Sequence, residues 1–522
     1  MWHCSTFSAA KALTLVAVCA LWGAWAVAAD IELGSGFYPS VEVLSSYRIV
    51  DGDLFGTRPF SLHEGRRLAI EAKAHTRTLS AEGTPVNPTL TARLEHAEAA
   101  AYYGRDFAPS SETDLNRLLV EPRENFFKPV GMPHLNVLYL DGEKSPFPGT
   151  DASQNGLVYN NEGIDPEEGL NAYLDFEIQG VLGPLAVYAQ PLLHLNGQAD
   201  AEIHKAYLTL SAANLDLEIG KRPLWWGQGY HGSLFLSNNA EPLTMARVTN
   251  PSPALLPWIF ERLGPCRLDI FLSRLEEERD VPEPYLLGTR VNFKPHPTFE
   301  IGLTRTIIFG GDGRPDITLS RFLKILGGAN VGDPDDELSN SIAGVDLRVT
   351  LPFGQFYGEL GGEDEAGAFP THPAYLLGFF LPPGRRRPGV RVEYADLTNK
   401  DAFKSTSAPD WYSHLVYTSG YTYEGRILGH HVGGDARDLF VEVELFETDS
   451  LTARAHFDFE ERGIENAGST ERHKQWGTEI EWSRGNCLVK LRVGYERVTD
   501  AGLEPGSEED NFLGSICLTL RV

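Results

Sequence analysis

The feature that most constrains the fold is a period of two in hydrophobicity that runs through most of the chain. In "LDLEI" at 215–219, leucine and isoleucine alternate with aspartate and glutamate. The same alternation recurs in "YLDFEIQ" at 173–179, "VDLRVTL" at 345–351 and the last strand at 516–522. Such segments predict strands with one apolar and one charged face. The apolar face would point to a core in a soluble sandwich, or to lipid in a membrane barrel.

The lengths of the links between predicted strands separate these two folds. Short links alternate with long ones, and the short ones lie at 295–297, 352–354, 384–389, 447–450 and 484–486. Up-and-down membrane barrels have short periplasmic turns and long outer loops, whereas a sandwich has no reason to keep this alternation. The predicted fold class is therefore an all-β transmembrane barrel of about 18 antiparallel strands, or about 20 if 398–436 contains another hairpin.

The beginning of the chain has a different pattern. Residues 1–29 are predicted to be a signal peptide, with an apolar run that ends in "AVAA". Between 30 and 129 we predict a small periplasmic helical region, followed by the barrel at 130–522. Ser61 and Glu64 have capping-box spacing, and Asn87 followed by Pro88 predicts a second helix start. The chain after residue 29 keeps three cysteines, too few for a disulfide framework.

The net charge of −27 excludes nucleic acid as a partner. After the signal, no apolar run is long enough to form a membrane helix. Acidic runs such as "EEERD" at 276–280 and "DPDDE" at 333–337 fall in or beside predicted outer loops. Solubility is the favoured explanation for them. We predict no resident cofactor. The open alternative for the acidic runs is that divalent cations bridge their carboxylates to an anionic glycan.

The stretch "GKRPLWWGQGYHG" at 220–232 follows a strand that runs outward, so it is expected at the cell exterior. Aromatic residues there are typical of a membrane girdle, but the flanking glycines also suit a platform for sugar rings. We predict a polysaccharide-binding site formed by Trp225, Trp226, Gln228, Tyr230 and His231.

No catalytic residues are predicted, and a metal role for His430 and His431 stays open as the less favoured alternative. Carboxylates recur at alternate strand positions, as a polar barrel lining should, and neither a GxSxG nor an HExxH motif is present. His430 and His431 fall in a predicted outer loop, where we expect them in solvent rather than on a metal ion.

Four blocks in order resemble the capsule assembly Wzi family. They are "TRPFSLHEGRRLA", "GKRPLWWGQGYHGSLFLSNNAEPL", "LLGTRVNFKPHPTFEIGLTRTIIFGGDG", and "RVEYADLTN" followed by "YEGRILGHHVGGDARDL". The resemblance implies an outer-membrane lectin, not an enzyme, that retains exported capsular or surface polysaccharide. Expected partners are the polysaccharide, outer-membrane lipid and lipopolysaccharide, and the expected oligomeric state is a monomer. A porin-like channel and a glycan-active enzyme stay open as alternatives.

Overall fold

A closed antiparallel barrel is the main body of the molecule. The computed structural model describes residues 30–82, 88–101, 125–196, 198–327, 338–366, 369–384, 387–398, 411–448, 450–465 and 468–520. In these residues 18 long strands each pair with their neighbours in sequence, and the last strand pairs with the first. The predicted fold class is confirmed.

The strands have these bounds. They are β1 (Phe126–Asp141), β2 (Gly169–Leu182), β3 (Leu185–Asn196), β4 (Gln198–Ala212), β5 (Leu215–Arg222), β6 (Leu243–Thr249), β7 (Pro265–Arg274), β8 (Tyr285–His296), β9 (Phe299–Phe309), β10 (Ser339–Leu351), β11 (Gly354–Ala366), β12 (Phe369–Leu381), β13 (Gly389–Asp396), β14 (Ala436–Thr448), β15 (Leu451–Arg462), β16 (Glu471–Arg484), β17 (Cys487–Thr499) and β18 (Glu508–Leu520). Two-residue strands pair Thr57–Arg58 with Trp225–Trp226, Ser145–Pro146 with Ser153–Gln154, and Thr422–Tyr423 with Arg426–Ile427, while Ala254–Leu255 pairs with β7.

The barrel is polar inside and apolar outside. On β5, Leu215, Leu217 and Ile219 are 50%, 44% and 60% exposed, whereas Asp216 and Glu218 are only 4% and 5% exposed. A protein surrounded by water on its outer face would bury the leucines and expose the carboxylates. This inverted arrangement suits a wall that faces lipid, as in the outer membrane, and a lumen that holds charge.

The links confirm the predicted alternation. The turns at 183–184, 352–353 and 485–486 lie at one end of the barrel, and the long loops 142–168, 223–242 and 411–435 lie at the other. Three links break the pattern. At the long-loop end, the links after β3 and β11 are short, because β4 begins at Gln198 and β12 begins at Phe369. At the short-turn end, 250–264 carries a 3₁₀-helix, Trp258–Leu263.

Four α-helices accompany the barrel. They are α1 (Phe37–Ser46), α2 (Leu62–Ala81), α3 (Pro88–Ala101) and α4 (Leu319–Leu326). The predicted capping box is present at the start of α2, where Ser61 Oγ accepts a hydrogen bond from Glu64 N at 3.1 Å. Pro88 is the first residue of α3, and Asn87 lies outside the described residues. Of the helices described, none is both long and apolar enough to cross a membrane.

Helix α1 lies inside the lumen at the short-turn end, where the sequence analysis did not predict a helix. Glu42 pairs with Arg348 on β10 at 2.9 Å and with Arg391 on β13 at 2.6 Å. Tyr47 Oη donates to Pro383 O, in the turn after β12, at 2.8 Å. Strand β1 begins at Phe126, inside the range predicted to be helical. The division into domains stays a prediction, and the signal peptide at 1–29 lies outside the described residues.

Candidate functional site

Loop 223–242 turns inward and lies in the lumen. Of the five residues predicted to bind polysaccharide, Trp225, Trp226, Gln228 and His231 are buried and Tyr230 is partly buried. The loop leaves from the long-loop end as predicted, but these residues are buried in the lumen and do not form the expected surface at the cell exterior. The role of these residues in polysaccharide binding stays a prediction.

Lumen carboxylates hold the backbone of this loop. Glu359 on β11 accepts hydrogen bonds from Gly229 N and Leu234 N, both at 2.8 Å. Glu393 on β13 accepts from three successive amides, Tyr230 N at 2.8 Å, His231 N at 3.0 Å and Gly232 N at 3.2 Å. A buried irregular loop needs partners for its N–H groups, and charged acceptors give the strongest ones. The sequence analysis assigned these carboxylates to a polar lining and missed this role.

Two glycines allow this close approach. Gly227 has φ 141°, and a Cβ at this position would collide with the Glu359 carboxylate and the Ser233 hydroxyl. A Cβ on Gly232 would collide with the ring of His430. The glycine-rich composition of "WGQGYHG" is thus explained by backbone packed against side chains rather than by an exposed flexible loop.

The N-terminal segment meets the loop inside the barrel. Thr57 and Arg58 pair antiparallel with Trp226 and Trp225. Glu300 on β9 then joins both segments, since it accepts from Gly56 N and from Gln228 Nε2 at 2.8 Å each. The two segments, one entering from each end of the barrel, form a single plug.

The outer loops pack together above the plug. Tyr412 Oη donates to Leu234 O at 2.7 Å, and Tyr421 Oη donates to Phe235 O at 2.8 Å. From the β7–β8 loop, Arg279 donates to Gly420 O at 3.0 Å and to Thr422 O at 3.2 Å. We call the packed loops 142–168, 275–284 and 411–435, which lie on the plug loop 223–242, the outer cap.

Two cavities remain in the lumen beside the plug, with volumes of about 290 and 310 Å³. Trp225, Tyr230 and His231 are among the residues that line the first, whereas Trp226 and Gln228 do not line it. Tyr230 stacks under the Arg391 guanidinium at 3.9 Å. The second lies beside β1 and β2, and Asp175 and Glu177 are among its lining residues.

His430 and His431 are buried, so the expectation that they lie in solvent is wrong. The ring of His431 stacks on Tyr159 with centroids 4.5 Å apart and meets the ring of His231 edge-on at 4.5 Å. Burial lowers the pKa of His430 well below its ordinary value, and the rings of His431 and His231 lower it further. The adjacent histidines are visible in the sequence as "HH". Their burial could not be predicted, because two adjacent histidines in a loop carry no information about burial.

Comparisons with known proteins give a family and a fold. A family model for the capsule assembly protein Wzi matches residues 143–513. A Klebsiella pneumoniae relative, an uncharacterized 55.8 kDa protein in the cps region, is 31% identical over 233 residues. That alignment covers 43% of this chain and 42% of the relative, less than half of its length.

Among solved structures, Escherichia coli Wzi superposes with a TM-score of 0.68 at 20% identity, over 96% of this chain and 99% of that one. It is described as an outer membrane protein involved in group 1 capsule assembly and as a carbohydrate-binding β-barrel. At that identity the likeness shows the fold. OprD from Pseudomonas aeruginosa has a TM-score of 0.43 at 9% identity, over 77% of this chain and 97% of that one.

Proposed function

Because the chain belongs to the Wzi family of capsule assembly proteins, we propose that it binds exported polysaccharide at the outer face of the outer membrane and retains it there. The carbohydrate binding described for the E. coli relative supports this proposal. The observation that carries it is the outer cap, because loops joined into one packed body present a fixed surface to the cell exterior. The protein acts as a lectin and catalyses no reaction.

The plug favours this function over a porin-like channel. The barrel has enough strands to enclose a wide pore. However, α1 fills the lumen from one end and loop 223–242 fills it from the other. A general diffusion channel needs a continuous water-filled path. We expect planar bilayers containing the purified barrel to show no stable open-channel conductance, and such a conductance would favour the porin alternative.

We propose that the polymer binds the outward-facing side of the cap with the help of divalent cations. Glu277, Glu278 and Asp280 are exposed on the β7–β8 loop, and the chain is strongly acidic. An acidic polysaccharide would be repelled by this surface unless cations bridge the two. Asp333 and its acidic neighbours lie outside the described residues.

Arg279 offers a test of the cap. Its guanidinium is buried and fastens loop 275–284 to loop 411–435 through two carbonyl oxygens. Arg279→Ala removes these charge-assisted hydrogen bonds, each worth about 1.5–3 kcal/mol. We expect polysaccharide binding to purified barrels to weaken by at least about tenfold, which corresponds to about 1.4 kcal/mol.

The matched control is Arg274→Ala. Arg274 precedes the same loop but is half-exposed and pairs only with Glu283 among the described ion pairs, so binding should stay unchanged. Both variants should keep the heat-modifiable gel mobility of a closed barrel. Unaltered binding by folded Arg279→Ala would remove the cap from the site. Assays with and without added Ca²⁺ test the bridging cations, and shortening of the glycan on incubation would indicate an enzyme.

A further inference from the structure

A cluster of two histidines and two aspartates is buried where the plug meets the barrel wall. His231 comes from loop 223–242, His431 from loop 411–435, Asp438 from β14 and Asp458 from β15. One potential ligand atom from each lies within 4.8 Å of the other three. His231 Nε2 is 2.8 Å from Asp458 Oδ2 and 3.7 Å from Asp438 Oδ2, and His431 Nε2 is 4.0 Å from the same Asp438 oxygen.

The hydrogen bonding of this cluster is incomplete. In the described part of the chain, neither ring nitrogen of His431 makes a hydrogen bond, although Nε2 lies 3.5 Å from Glu460 Oε1. Oδ1 of Asp438 and Oδ1 of Asp458 also lack a hydrogen-bond partner there. His431 is 1% exposed, so water from the bulk does not serve these atoms. Buried polar groups are normally satisfied, so several unsatisfied atoms within one buried cluster indicate a missing partner.

The charge balance points to a cation. Within the described residues, the ion pairs of Asp438 and Asp458 are all with histidines. The nearby Glu460 is already paired with Arg462, at 2.5 Å. Two buried carboxylates side by side without a lysine or arginine are strongly unfavourable unless a proton or a metal ion neutralises them.

We propose that His231, His431, Asp438 and Asp458 bind one divalent transition-metal ion, with Zn²⁺ as the best match. Two imidazole nitrogens and two carboxylate oxygens are a ligand set that zinc accepts, and four protein ligands make a closed structural site. Zinc bonds of about 2.1 Å place tetrahedral ligand atoms about 3.4 Å apart. The present atoms reach that arrangement with side-chain shifts of about 1 Å.

Packed aromatic rings already orient the histidine ligands. The ring of His231 stacks on Phe440 with centroids 3.9 Å apart, and Tyr159 stacks on His431 at 4.5 Å. Such fixed rings lower the cost of forming a metal site, because little side-chain freedom is lost on binding.

The ion would latch the plug to the wall. Its four ligands come from two outer loops and two neighbouring strands, so metal binding joins elements that are otherwise connected through backbone and carboxylate hydrogen bonds. Metal binding adds directly to the stability of the state that assembles the site. This inference concerns the closed lumen and holds whether or not the cap binds polysaccharide.

The test measures metal in the purified full-length barrel. After incubation with Zn²⁺ and dialysis, we expect about one zinc ion per chain by elemental analysis. His431→Gln and Asp458→Asn should lower the zinc content at least about tenfold. His456→Gln is the matched control, because this lumen histidine lies beside Phe440 but outside the cluster.

Two measurements on the wild type keep the proposal testable if the variants fail to fold. Co²⁺ in place of zinc should give the intense visible absorption of a tetrahedral site, and a strong chelator should speed proteolysis of loop 223–242. A wild type without stoichiometric zinc, a weak octahedral cobalt spectrum, or equal zinc in folded Asp458→Asn would overturn the proposal. A shared proton between the two aspartates would then be the neutralising partner.

Discussion

At the scale of single residues, the lumen carboxylates act as ligands for the backbone of the plug. Period-two alternation predicts that Glu359 and Glu393 face the lumen, and they do. It cannot predict that each accepts several N–H groups from a loop more than a hundred residues away, because that depends on which loop enters the barrel. For the same reason, the sequence analysis expected the five candidate site residues at the cell exterior and did not predict their burial.

A substitution at Trp226 distinguishes a role in packing from a role in polysaccharide binding. Its ring is fully buried against Phe271, with centroids 5.1 Å apart. Trp226→Ala should destabilise the plugged barrel by about 3–5 kcal/mol through lost burial and the resulting cavity. We expect a smaller heat-modifiable fraction, while the barrels that do assemble bind polysaccharide normally.

Trp258→Ala is the control for this variant, because Trp258 is 88% exposed and loses little packing. Full assembly of Trp226→Ala together with lost binding would instead place Trp226 in the polysaccharide site, as the sequence analysis predicted.

At the scale of elements, the sequence predicted α2 and the start of α3 but missed α1. An amphipathic helix is recognised by one apolar face, and Ser61 adds a cap that precedes α2. Helix α1 has neither signal, because all its residues except Pro39 are buried and Gly36 before it provides no side-chain cap. A helix enclosed on all sides has no polar face from which its period can be read.

Docking of α1 should depend on pH through Glu42. Burial alone would raise the pKa of Glu42, but Arg391 and Arg348 lower it from 4.5 to about 2. A lowered pKa in the docked state means that the ionised carboxylate stabilises docking above pH 4.5. This stabilisation declines as the pH falls from 4.5 to about 2. Hydrogen exchange at 37–46, corrected for its intrinsic pH dependence, should show weaker protection in this range.

Glu42→Gln should remove that pH step and weaken docking at pH 7 by about 3–5 kcal/mol, because two buried arginines lose their partner. Glu82→Gln is the control, since Glu82 is exposed after the end of α2. An equal pH step in wild type and Glu42→Gln would assign the effect to other groups.

At the scale of the whole molecule, alternation and link length together predicted the barrel, its approximate strand number and the barrel end at which most of the loops lie. Both signals are local in sequence. They are sufficient to predict the barrel because consecutive strands pair with one another. The plug depends on contacts between distant parts of the chain. Glu300, for example, accepts hydrogen bonds from Phe55 and Gly56 in the N-terminal segment and from Gln228 in loop 223–242. No local sequence pattern predicts contacts between such distant residues.

The topology has a direct test with engineered cysteines. With the three cysteines after residue 29 replaced by serine, Asn486→Cys lies in the β16–β17 turn and Glu504→Cys in the β17–β18 loop. An impermeant thiol reagent applied to intact cells should label position 504 and leave 486 unlabelled until the membrane is opened. Labelling in the reverse pattern would invert the barrel in the membrane.

The position of α1 inside the barrel has a consequence for the order of assembly. Glu42 is separated by 349 residues from Arg391, and the wall around it is complete only when β18 pairs with β1. The early segment therefore has to wait, without its charged partners, until nearly all of the chain has been made. A barrel that has not closed would leave the Glu42 carboxylate exposed and would present two unpaired strand edges. Both features distinguish the incomplete barrel from the folded protein. Pairing of β18 with β1 then completes the wall around the plug. Stable docking of α1 therefore depends on the pairing of the last strand.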